Sequence, residues 1–187
     1  QTAALTDEGK GTCVGEPAPG VKVAIAAIND NIIPHIRQAR ILGLHQIGEI
    51  IVKGDMVTAG YYQSPQETAL AKIADGASFW HRMGDLGYID DAGKLWFCGR
   101  KSHRVETPSG LLCSVMCEAI FNTHNGVRRS ALVGIGEKGR QSAAIVIERN
   151  SAGRKLDRKR LEKELLGLGG KNPLTAAITS VHFCDSF

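Results

Sequence analysis

No apolar run in this sequence reaches the roughly 18 residues that a membrane-spanning helix needs. The opening stretch, QTAALTDEGKG, lacks the charged-then-apolar pattern of a secretory signal, so a cytoplasmic protein is expected. No C-x-x-C occurs, and the five cysteines are odd in number and scattered, which argues against a disulfide framework or a zinc site. Cys113 and Cys117, four apart, would share a helix face and read as small buried apolar residues. No two histidines have ligand spacing, and His81 is the one singled out as a candidate. Neither charge sign dominates: 23 basic and 19 acidic residues leave +4, as compatible with a small anionic ligand as with nucleic acid. Internal repeats and low-complexity segments are absent as well.

What remains is an ordinary globular composition of 187 residues, 43% hydrophobic and 22% charged, enough for one large domain or two small ones. Residues 1–20 are turn-rich. Val21–Ile28 and Gly48–Lys53 read as β-branched strands bounded by turn residues. Ser64-Pro65-Gln66-Glu67 has the form of a helix start, with Ser64 as cap, Pro65 at the first position and Glu67 completing a capping box, and that helix should end near Asp75-Gly76. Leu86–Ile89 and Lys94–Cys98 alternate as a hairpin around the acidic turn Asp90–Gly93.

Beyond Ser102 the pattern changes. His103–Glu106 is a short strand candidate before a turn at Pro108-Ser109-Gly110. Leu111–His124 has helical spacing, with Ser114 as a plausible cap. Val127–Gly134 and Ala143–Ile147 read as strands, the second nearly all apolar and therefore central. Asp157–Leu168 is an amphipathic helix with Leu161, Leu165 and Leu168 on one face, and Ile178–Phe183 is a last strand.

Two phosphate-loop look-alikes fail on context. Gly134–Gly139 spells G-x-G-x-x-G, but a strand rather than a helix follows it, which favours a glycine-rich hairpin turn over a dinucleotide site. Gly167–Lys171 (GLGGK) lacks the earlier glycine and the following Ser/Thr of a P-loop and reads as a helix end. The basic cluster around Arg154–Lys163 has no aromatic stacking platform and reads as a solvated helix face.

The stretch Trp80–Val105 (WHRMGDLGYIDDAGKLWFCGRKSHRV) carries the chemistry. Asp85 precedes the first hairpin strand and Arg100 follows the second, so an antiparallel pairing brings them to the same end. A carboxylate there can accept from both hydroxyls of a ribose, and a guanidinium can bond ribose or phosphate oxygens. A turn aspartate beside a strand-end arginine is the structural alternative.

GEIIVKGDMVTAGYY (Gly48–Tyr62), PQET (Pro65–Thr68) and WHRMGDLGYIDDAGKLWFCGR (Trp80–Arg100) resemble the acyl-adenylate-forming ligases, the superfamily of acyl-CoA synthetases, peptide-synthetase adenylation domains and luciferases. The wording HRMGDLG with CGRKSHRV looks most like the branch in long-chain olefin biosynthesis, which closes β-hydroxy fatty acids to β-lactones. The resemblance covers nearly the whole chain. It implies that Asp85 and Arg100 hold the nucleotide ribose, that Ser102 is the domain hinge, and that Gly110 corresponds to a glycine lining the acyl-acceptor tunnel, with Glu118 the nearest match to the last acid of that motif. Met83 stands where the family has Thr, and Ser102 where it has Asp or Lys. Gly110 and Glu118 fall slightly later after Arg100 than in the family pattern.

The family's phosphate loop, its adenine-stacking segment and its catalytic lysine have no counterpart between residues 1 and 187, so no catalytic residue is expected in this stretch, nor any metal ligand. The expected fold is α+β: a β-rich, distorted barrel-like subdomain (1–101) ending a large adenylation domain, then a small lid domain (102–187) with a mixed sheet and two or three helices. The implied function is part of an ATP-dependent ligase making acyl-AMP and pyrophosphate, with a β-lactone as product. The alternatives are a CoA thioester, or a non-catalytic lid-like module that binds a partner or carrier protein. ATP and Mg²⁺ are the implied cofactors, CoA an alternative acceptor, and a fatty or β-hydroxy fatty acid the implied substrate. Association with enzymes of the same pathway is implied too; nucleic acid is not.

Overall fold

A computed structural model describes residues 2–186. They form two compact units, one spanning Cys13–Ser102, the other made of the residues up to Thr12 together with those from His103 onward. The fold is α+β, and among the described residues no helix is long and apolar enough to cross a membrane.

The first unit is a curled antiparallel sheet. Its strands are β1 (Thr12–Gly15), β2 (Lys22–Ala26), β3 (Gly48–Lys53), β4 (Lys72–Asp75), β5 (Ser78–Ile89) and β6 (Leu95–Arg100), in the order β1-β6-β5-β3-β2, with β4 also paired to β5. β3, paired on both sides, is a short apolar run, and Ile50 and Ile51 are 5% and 0% exposed. Ala26, Ile33, Ile51 and Ile73 form a core beside the sheet. The helix α1 (Thr2–Asp7) was unexpected in a turn-rich stretch; six residues are too few for periodicity to show.

Helix α2 (Pro65–Ala71) begins where the sequence indicates but stops at Ala71, because Lys72–Asp75 pairs with Ser78–His81 as a strand. Ser64 makes no side-chain cap; instead Thr68 Oγ1 donates to the Ser64 carbonyl at 2.9 Å. β5 begins eight residues before the expected start at Leu86, so Asp85 lies inside the strand rather than ahead of it.

In the second unit, β7 (Val105–Thr107) and β8 (Gly110–Leu112) form a hairpin, followed by α3 (Ser114–Asn122). The cap position is Cys113 rather than Ser114, without a side-chain bond. β9 (Val127–Ile135) and β10 (Ser142–Arg149) are antiparallel, and β11 (Ser180–Cys184) runs parallel to β10, which is central as its apolar run indicates. The G-x-G-x-x-G segment is the β9–β10 turn. In α4 (Arg158–Gly170), Asp157 caps the helix by accepting from the Arg160 amide at 3.0 Å. Leu161 and Leu165 of α4 are fully buried with Phe121, Ile145 and Ile147. Full burial of such side chains contributes about 1.5–3 kcal/mol each. The open positions of α4 fall on the polar face that the sequence pattern assigns.

Candidate functional site

The site begins with a mismatch between β3 and β5. Glu49 is paired with Leu86 and Ile51 with Arg82, so one residue of β3 (Ile50) faces three of β5: Met83, Gly84 and Asp85. The surplus makes β5 bulge, a device that re-aims side chains. Gly84 sits at φ +68°, in the left-handed region that glycine adopts without penalty. A Cβ there would meet no atom within 4 Å, so backbone conformation rather than crowding selects the glycine.

The bulge delivers Asp85 to β6, where its register partner is Arg100. Arg100 Nη1 lies 2.8 Å from Asp85 Oδ1; the arginine side chain is 58% exposed and the aspartate 17%. That oxygen is buried, yet no donor is aligned on it for a hydrogen bond. The ion pair therefore balances its charge without saturating its lone pairs. A second irregularity follows at once, since Leu86 pairs with Gly99 and Gly87 with Phe97, leaving Cys98 surplus on β6.

A second charged group surrounds Glu49, which is 1% exposed. Arg82 binds its Oε2 through Nη2 at 2.7 Å and Nε at 3.0 Å, while Lys101 Nζ lies 3.0 Å from Oε1. Arg82 also donates to the carbonyls of Asn29, Asn31 and Leu70, and Lys101 to that of Asn29. Burial of one carboxylate between two cations is tolerable only because nearly every donor is used. A cavity of about 450 Å³ opens here, walled by Glu49, Arg82, Lys101 and Gly84 together with Tyr61, Ser64 and Glu67.

Of the sequence-predicted residues, Asp85 and Arg100 come together as an ion pair. Ser102 is exposed, in the 3-10 turn Lys101–His103 and at the last residue of its unit. Gly110 opens β8 opposite Thr107, exposed and at φ +135°. Glu118 is on α3, where burial raises its pKa and its Oε1 accepts from the Leu132 amide at 3.0 Å. His81 lies on β5 with its ring edge toward Tyr61, centroids 6.3 Å apart; burial lowers its pKa and Nδ1 has no partner. Among the described residues no three His, Cys, Asp or Glu side chains converge as metal ligands.

Sequence reasoning missed Glu49, Arg82 and Lys101. The available signal was a single carboxylate in an otherwise apolar strand, GEIIV, which must find a cation to be buried.

No protein-family model matches the chain. It is 47% identical over 153 residues to an olefin β-lactone synthetase of Stenotrophomonas maltophilia, covering 79% of this chain and 28% of that protein. It is 42% identical over 182 residues to the olefin β-lactone synthetase of Xanthomonas campestris, covering 95% of this chain and 33% of that protein. The chain thus spans about a third of the length of these curated relatives. In fold it is similar to the amide bond synthetase McbA of Marinactinospora thermotolerans, with TM-score 0.73 and 25% identity over 93% of this chain and 32% of that one. ATP-bound MatB of Rhodopseudomonas palustris gives TM-score 0.72 and 26% identity over the same shares, 93% and 32%.

Proposed function

The chain belongs to the acyl-adenylate-forming ligases, corresponding to a C-terminal portion of them, and on that premise we propose that it supplies the ribose-holding edge and the lid of an ATP-dependent acid-activating enzyme. The observation that carries this is the bulge that sets Asp85 opposite Arg100 with a buried, unsaturated carboxylate oxygen. The two ribose hydroxyls donate to the Asp85 carboxylate, each such bond contributing about 1.5–3 kcal/mol when shielded. The exposed N–H groups of Arg100 serve the ribose ring or the α-phosphate. Met83 contributes no hydroxyl to the phosphates.

In the proposed reaction the substrate carboxylate attacks the α-phosphorus of ATP, and pyrophosphate leaves. The β-hydroxyl of a long-chain β-hydroxy fatty acid then attacks the acyl carbonyl, AMP departs as the leaving group and the hydroxyl proton is lost. The product is a β-lactone. The names of the two relatives at 42% and 47% identity support this second step. Mg²⁺ belongs with the triphosphate, where it would neutralise charge; this chain's described residues form no ligand cluster for it, so no step is assigned to it.

A CoA thioester is the second reading. It is favoured by the 33% identity over 128 residues to a sulfoacetate–CoA ligase of Cupriavidus necator, and by Gly110, whose open, positive-φ position leaves room for a passing chain. In either reading Ser102 is the joint on which the lid (residues from 102) turns, and the enzyme works in the cytoplasm, beside others of its pathway. Incubating the ligase that carries this segment with ATP and either a β-hydroxy fatty acid, or a fatty acid plus CoA, separates the two. Lactone and AMP without CoA are expected; thioester alone would select the second reading. Absence of acid-dependent ATP–pyrophosphate exchange would remove both and leave a non-catalytic module that binds a partner or carrier protein.

A further inference from the structure

Asp85 and Arg100 sit where the sheet is least able to hold them. On one side β5 has two residues more than β3 between Arg82 and Leu86, and on the other β6 carries the surplus Cys98. Ladder hydrogen bonding is interrupted on both flanks, and Gly84, with its left-handed backbone and no side chain, adds freedom rather than restraint. A loop so placed would sample many orientations of the Asp85 carboxylate, and each would dilute ligand affinity.

Glu49 bridges the defect. Its backbone is paired with Leu86, the residue just after the bulge, while its carboxylate holds Arg82, the residue just before it. The same carboxylate holds Lys101, the residue just after Arg100. Lys101 and Arg82 further share the Asn29 carbonyl. One buried carboxylate thus fixes three points: both ends of the segment that bears Asp85 and the chain beyond Arg100. We infer that Glu49, acting through Arg82 and Lys101, is a positioning residue for the nucleotide-binding pair Asp85–Arg100, rather than a stabiliser of the sheet at large. The inference rests on the ribose-binding reading above for its purpose, but not for its geometry.

The test uses the ligase that carries this segment, with AMP as probe, and reads amide hydrogen exchange beside AMP affinity by calorimetric titration. Glu49→Gln keeps the shape but halves the tie. It is expected to speed exchange at Met83–Leu86 and Lys101–Ser102 by roughly tenfold while β10 exchanges as before. AMP affinity should fall by about tenfold as well. Lys101→Gln should loosen Lys101–Ser102 and weaken AMP while β10 exchanges as before, and Lys101→Arg should restore both. Exchange at the bulge equal to wild type in Glu49→Gln, or accelerated uniformly through residues 13–102, overturns the inference. If Glu49→Gln does not fold, the Lys101 pair decides: a wild-type response in Lys101→Gln sinks the positioning role. If AMP leaves exchange at Asp85 and Arg100 unchanged in the wild-type ligase, the ribose-binding reading fails, while the exchange pattern without nucleotide still decides what Glu49 positions.

Discussion

Glu49 is joined to Leu86 by backbone register and to Arg82 by a 2.7 Å ion pair, so a single residue spans the three-residue bulge that presents Asp85. Two kinds of bonding thereby act on one segment. The ladder fixes where β5 resumes, and the buried charge fixes where it departs.

Asp85→Ala in the ligase that carries this segment should weaken ATP binding by about tenfold or more, since each charge-assisted bond is worth roughly 1.5–3 kcal/mol. Arg100→Ala should have a smaller effect, because its side chain is 58% exposed and its charge is screened. Fluorescent-nucleotide titration measures both. An unchanged affinity in Asp85→Ala would take that residue out of the site.

Gly84→Ala should cost about 1–2 kcal/mol through backbone strain alone, as nothing obstructs the added carbon. Gly84→Asn should recover part of that, because asparagine visits the left-handed region. Chemical denaturation of the three proteins provides the comparison, and equal stability of all three would refute the strain account.

Two glycines of α4 should respond oppositely. Gly167→Ala meets no atom within 4 Å and gains helix propensity, so it should stabilise by up to about 1 kcal/mol. Gly169→Ala would place its Cβ 2.8 Å from Phe121 Cζ, and Phe121 is fully buried and cannot yield. A net loss of about 1–3 kcal/mol is expected despite the same propensity gain. Thermal melts of both variants that shift in the same direction would contradict this packing.

Burial pushes the thiols of Cys113 and Cys117 from 9.0 up to about 12. The folded state therefore favours the neutral thiol, and its stabilising effect is full below pH 9 and lost as pH rises from 9 toward 12. Alkylation at pH 8 followed by peptide mapping should modify Cys13 and Cys184 well before Cys113 or Cys117. In Cys113→Ala/Cys117→Ala, the fall in stability above pH 9 should be shallower than in wild type.

Periodic elements were legible from residues alone: the alternation around Asp90–Gly93, the leucine face of α4 and the apolar run of β10 each record local burial directly. The end of α2 was not, because Lys72–Asp75 becomes a strand only through pairing with Ser78–His81. Nor was Ser114's failure to cap, since β8 ends at Leu112 and the helix begins at Ser114 itself, which leaves Cys113 in the cap position.

For the site, sequence by itself determined the identities and the approximate meeting of Asp85 and Arg100, because a hairpin with a short turn leaves its two ends little choice of partner. Tertiary structure alone decided that Asp85 rides on a bulge and that Glu49 spans it. Both depend on how β3, more than thirty residues earlier in the chain, registers against β5, and register between distant strands is set by the packing of a common core, not by any local pattern.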